Sequence, residues 1–96
     1  MLAIRPSCEN CNKALPANAV DAMICSYECT FCADCVETIL LNVCPNCGGG
    51  FEKRPVRPKQ KLVKNPAQQK AVYRPVDKFK FEPLQTRWKD IAPEER

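Results

Sequence analysis

Residues 25–35 read CSYECTFCADC, four cysteines in one short stretch. Upstream lies Cys8-x2-Cys11 and downstream Cys44-x2-Cys47, and no cysteine follows. The eight thiols therefore fall into four close pairs: Cys8 and Cys11, Cys25 and Cys29, Cys32 and Cys35, Cys44 and Cys47. That is the number two four-thiolate sites need. Two ligands on a short turn can grip one ion, because the intervening residues let the backbone wrap around it.

The crowded stretch decides how the pairs combine. A sequential scheme gives Cys8, Cys11, Cys25 and Cys29 to one ion and the remaining four to the other. It would place two doubly negative centres side by side where Cys29 and Cys32 almost adjoin. An interleaved scheme joins pairs one and three, and pairs two and four. It predicts Cys8, Cys11, Cys32 and Cys35 at site 1, and Cys25, Cys29, Cys44 and Cys47 at site 2. Alternate ligands then face opposite ways, and distant parts of the chain are tied together.

The chain needs such ties. Its 96 residues allow one small domain and a tail. The cysteine-bearing head, residues 1–51, has few large apolar side chains, and a core of that size rarely suffices alone. Disulfides are the other available staple, and an even cysteine count in a short chain suits a secreted scaffold. The N-terminal MLAIRPSCEN has no apolar run of export-signal length, and no stretch is long enough to span a membrane. A cytoplasmic place with reduced, metal-binding thiols is the expectation, with two zinc ions as cofactors. Histidine is absent, so the chain holds no histidine base and no Cys–His pair. No catalytic constellation is visible, and an enzyme is not expected.

Charge divides the chain. The head to Gly50 carries two basic residues against five acidic, whereas residues 51–96 carry thirteen against six. Binding by eight thiolates would make the head more negative still. Residues 52–78 form a basic connector cut by Pro55, Pro58, Pro66 and Pro75, which predicts extended or disordered backbone. Within the head, Val36, Ile39, Leu40 and Val43 recur at helical spacing, with Asp34 as N-cap or first-turn acid and Pro45 as the stop. In the tail, Phe81, Leu84, Trp88 and Ile91 predict a second short helix over 83–92, starting at Pro83. So short a helix is not stable alone: either it docks on the head, which would cover its apolar face, or it folds on a partner.

The ligand order resembles a RING-type cross-brace: pair, long loop, two ligands, pair, shorter loop, pair. Cys32-Ala33-Asp34-Cys35 leading into a helix is similar to the treble-clef part of that fold, and Cys44-Pro45-Asn46-Cys47 to its final knuckle. The fold this implies is a small, metal-stabilised α+β domain of zinc-finger type, with one short helix and a basic extended C-terminal tail. Ubiquitin ligases of that class usually carry an apolar residue after the first cysteine and a basic one after the last. Here the positions hold Glu9 and Gly48.

The strings DAMICSYECTFCADC (21–35) and NVCPNCGGGFEKRPVRP (42–58) resemble a small bacterial family of all-cysteine proteins catalogued as a domain of unknown function. That resemblance covers about residues 1–58 and implies the same eight ligands and no activity. The function expected is a non-catalytic, two-zinc protein-interaction module with an adaptor or regulatory role. Nucleic-acid binding through residues 53–80 is the alternative, since that segment holds ten Lys or Arg against Asp77 alone. An E3-like ubiquitin ligase is a further one. No membrane partner and no small-molecule substrate are expected.

Overall fold

The computed structural model describes all of residues 1–96. It is a small α+β protein built on a three-stranded antiparallel sheet of order β2-β1-β3: β1 is Ala22–Ile24, β2 is Thr30–Cys32 and β3 is Glu52–Lys53. Ala22 pairs with Cys32, Met23 with Phe31, and Ile24 with Thr30. The turn between β1 and β2 carries Cys25 and Cys29, and Glu28 adopts a left-handed conformation to close it. All three residues of β2 are buried, because both faces and one edge are covered. Glu9 covers that edge: its N–H donates to Thr30 O at 3.0 Å, and its Oε2 accepts from Thr30 N at 2.6 Å.

Helix α1, Ala33–Cys35, follows β2 directly and widens into a π-helical turn over Val36–Leu40. The predicted helix through Val43 stops earlier. Leu41 and Asn42 both take left-handed φ, which ends the helix before Pro45 is reached. Asn42 tolerates that conformation and uses it, since its Oδ1 accepts from Phe51 N at 2.9 Å. Val43 is fully buried, but from beyond the helix. Asp34 lies in the first turn, and the N-cap position is Cys32.

The core joins Leu15, Phe31, Val36, Leu40, Val43 and Phe51 to six of the cysteines. Phe31 and Phe51 meet edge to face, with ring centroids 5.4 Å apart. The expected division at residues 51 and 52 falls inside this unit. Glu52 and Lys53 are the third strand, and Arg54 is buried beneath them.

Beyond Arg54 the backbone has no regular element until Lys78, as proline spacing predicts, yet it is laid on the head. Arg57 donates to Leu2 O and Asn65 O, Gln68 N to Ile4 O, Arg74 N to Glu9 O, and Val76 N to Asn10 Oδ1. Helix α2 runs Lys78–Trp88, not 83–92. Asp77 caps it, its carboxylate accepting from Phe79 N and Lys80 N, so helix formation starts there. Pro83 sits inside the helix and forfeits one bond on a side where Phe79 is open to solvent. Phe81 is buried, Leu84 and Trp88 pack partly against the core, and Ile91 is exposed past the helix end. No helix is long and apolar enough to cross a membrane.

Candidate metal centre

Four elements deliver the thiols. A turn after the N-terminal segment carries Cys8 and Cys11, held by Cys8 N to Lys13 O and Asn12 N to Cys8 O, each at 2.9 Å. The end of β2 and the first turn of α1 carry Cys32 and Cys35. The Sγ atoms of these four lie within 4.8 Å of one another. Cys8 and Cys35 are separated by 3.8 Å, and Cys11 and Cys32 by 3.7 Å. A disulfide would require about 2.05 Å. Sulfurs at the corners of a tetrahedron around one ion, at ~2.3 Å from it, stand about 3.8 Å apart.

The second group brings Cys25, from the end of β1, to Cys44 and Cys47 of the last knuckle, again within 4.8 Å. Cys29 stands beside this group and outside that limit. Its thiol adjoins that of Cys25, and the side-chain amide of Asn46 donates to its Sγ at 3.4 Å. The chain thus gathers its thiols in the interleaved order, and both groups can hold a metal ion. The first has four sulfurs in place, and the second has three with Cys29 adjacent. The sequential set of Cys8, Cys11, Cys25 and Cys29 is not assembled.

Electrostatics divides the thiols. Burial pushes the Cys32, Cys35, Cys29 and Cys44 thiols above their ordinary range. Burial acts the same way on Cys8, but backbone N–H donors around its sulfur outweigh it and the net shift is downward. Cationic charge from an ion is what buried thiolates of this kind require. Hydrogen bonds to sulfur are already arranged: Tyr27 N to Cys25 Sγ at 3.3 Å, Gly49 N to Cys47 Sγ at 3.4 Å, and Asn10 Nδ2 to Cys35 Sγ at 3.4 Å.

Asn10 and Asn46 were not singled out from sequence. Each occupies the third position of its C-x-N-C turn, and each donates to a sulfur of a different pair. The recurrence of asparagine in CENC and CPNC is the signal that marks them. Glu9 has a structural role that its charge conceals. Arg5 pairs with its Oε2 at 2.7 Å, and Arg74 stands 3.6 Å from Oε1, on the wall of a cleft of about 200 Å³ between both knuckles and the connector.

Three comparisons bear on these features. A family model described as a protein of unknown function, DUF1272, matches residues 1–57, the stretch that carries all eight cysteines and all three strands. An uncharacterized protein of Rhizobium meliloti (strain 1021) is 55% identical over 75 residues, which is 78% of this chain and 89% of that protein. No solved structure matches the chain.

Proposed function

The chain belongs to the DUF1272 family, and from that premise we propose that it is a two-zinc, RING-like cross-brace module that binds another protein and performs no catalysis. The observation that carries the metal part of this reading is the sulfur spacing at Cys8, Cys11, Cys32 and Cys35. Separations of 3.7 and 3.8 Å suit a single tetrahedral ion. An iron–sulfur cage would spread its four cysteines farther, and all-sulfur tetrahedral sites favour zinc among single ions. Cys29, whose thiol adjoins that of Cys25, is the residue proposed to complete the second site. Four sulfurs fill every position around each ion, so zinc here supplies folding energy and leaves no vacancy for substrate. Reduced thiols fit a cytoplasmic place.

The contact surface proposed for the partner is the turn between Cys25 and Cys29. It holds Tyr27 outward at 73% exposure, next to a metal site that fixes its backbone. An aromatic side chain on a rigid turn is a good anchor. Protein purified without added metal should contain about two zinc per chain, bound by sulfur alone at roughly 2.3 Å. Elemental analysis and X-ray absorption would show this; one ion per chain, or nitrogen in the coordination shell, would reject the scheme. Tyr27→Ala should then abolish partner capture with metal content unchanged.

A second reading is favoured by one observation. Lys59, Lys61, Lys64 and Lys70 are exposed along the connector, and none forms an ion pair. Such a run would bind single-stranded nucleic acid with strong salt dependence. Binding that survives Tyr27→Ala and disappears in salt would favour it over the protein-docking reading.

A further inference from the structure

We propose that Asn10 is a positioning residue that couples the first sulfur cluster to the docked tail. The inference rests on the metal reading above and adds a link between site 1 and residues 74–88. Asn10 lies in the turn between Cys8 and Cys11. Its Nδ2 donates to Cys35 Sγ at 3.4 Å, and its Oδ1 accepts from Val76 N at 2.9 Å, across a sequence separation of 66 residues. The backbone N–H of Val76 can meet only the oxygen, which fixes the orientation of the amide and turns its NH2 toward sulfur.

Both contacts are made by one planar group. The amide cannot turn to suit one partner without moving against the other. A neighbouring bond makes the link tighter, since Arg74 N donates to Glu9 O at 2.8 Å. Two successive residues of the first knuckle thus hold the connector just ahead of α2. An N–H donor to a ligating sulfur fixes that sulfur's position and orientation, as outer-shell partners of metal ligands do. A docked tail therefore favours the ion at site 1 by holding the amide in place. Reciprocity then requires that an ion at site 1 favour the docked tail.

The second knuckle provides an internal comparison. Asn46 makes the equivalent bond to Cys29 Sγ, but its oxygen receives no hydrogen bond from the tail. Site 2 should be indifferent to the Val76 contact. Loss of metal from site 1 would loosen residues 74–81 and uncover Phe81, which makes the tail a reporter of metal occupancy.

The test uses the full-length, zinc-loaded protein and two readouts. Graded withdrawal of zinc by a chelator, followed by thiol alkylation and peptide mapping, shows which four cysteines lose their ion first. The rate of tryptic cleavage after Lys78 and Lys80 reports tail release. Asn10→Ala should weaken zinc retention by Cys8, Cys11, Cys32 and Cys35 by about tenfold or more, the usual effect of removing an outer-shell partner. Val76→Pro removes the N–H donor, together with part of a side chain that packs on the core, and should weaken the same set by a few-fold, leaving the other four unchanged. Both should speed cleavage. Asn46→Ala should weaken only the second set and speed cleavage far less than Asn10→Ala does.

The proposal is overturned if Val76→Pro frees the tail while site 1 retains zinc as in wild type. It is equally overturned if Asn46→Ala frees the tail as much as Asn10→Ala. Should the variants misfold, wild-type protein still decides: molecules emptied at site 1 alone must be cleaved faster than those emptied at site 2 alone. A protein whose eight thiols all alkylate without chelator would refute the metal reading itself, a result distinct from the failure of this coupling.

Discussion

Arg54 is almost wholly buried, and its guanidinium has no carboxylate against it. It is satisfied by carbonyl oxygens, donating to Arg5 O at 2.8 Å, Leu15 O at 3.1 Å and Pro16 O at 2.8 Å. Burial lowers its proton affinity, but a guanidinium remains charged across the usual pH range. The side chain ties the N-terminal segment and the loop at Leu15 to the end of β3. Arg54→Met should cost on the order of 3 kcal/mol, since it leaves buried carbonyls without donors. The fall in denaturation midpoint measures this, and Arg54→Lys should recover only part, having one ammonium for three separated acceptors. Arg54 was indistinguishable in sequence from its basic neighbours Lys53 and Arg57, because charge patterning says nothing of burial. The cysteines were legible for the opposite reason: their spacing constrains the backbone directly, whereas Arg54 depends on carbonyls far away in the chain.

At the scale of elements, α2 shows what local signals capture and what they miss. The apolar repeat Phe81, Leu84, Trp88 was readable and two of its consequences hold, a helix and a face turned to the head. Its start was misplaced because Pro83 is a common first residue, while Asp77 is the stronger cap and sits six residues earlier. Burial ranks the side chains for a test. Phe81→Ala should release the tail most, at a cost of about 3 kcal/mol. Trp88→Ala should do so less, because the indole is only partly covered, and Phe79→Ala should do nothing, because that ring is 90% exposed. Proteolysis after Lys80 gives the order. From the opposing surface, Gly48 has φ of 78°, and a Cβ there would stand 3.3 Å from the Trp88 indole. Gly48→Ala should therefore disturb the last knuckle and the helix together, measurable as a lowered thermal midpoint and faster cleavage. Charge contributes less to docking than the opposite signs of head and tail suggest: Arg74 with Glu9 is the one ion pair that joins them.

For the whole molecule, stability and metal content are one quantity. The buried thiols of Cys35 and Cys44 resist ionisation without a cation, so loading must expel protons. Bound thiolates have depressed proton affinity, and stability of that kind is present at neutral pH and lost as pH falls. The unfolding midpoint of the loaded protein should drop on acidification in step with zinc release, and a titration with zinc should liberate protons; a midpoint independent of pH through the range of metal loss would contradict this. Chelation at neutral pH should abolish tertiary signals, because six of the residues closing the core are themselves cysteines. The interleaved order also has a consequence for biosynthesis. During elongation the thiols emerge in chain order, and Cys8, Cys11, Cys25 and Cys29 are available before Cys32 and Cys35 exist. That early quartet is the wrong one. An ion captured too soon by a growing chain must be surrendered before the native partners can claim it. A chain cut after Phe31 should therefore bind one zinc through sulfur alone, and Cys29→Ser, which removes the fourth ligand of the premature site, should weaken that capture; a cut chain that takes up no zinc would rule the premature site out.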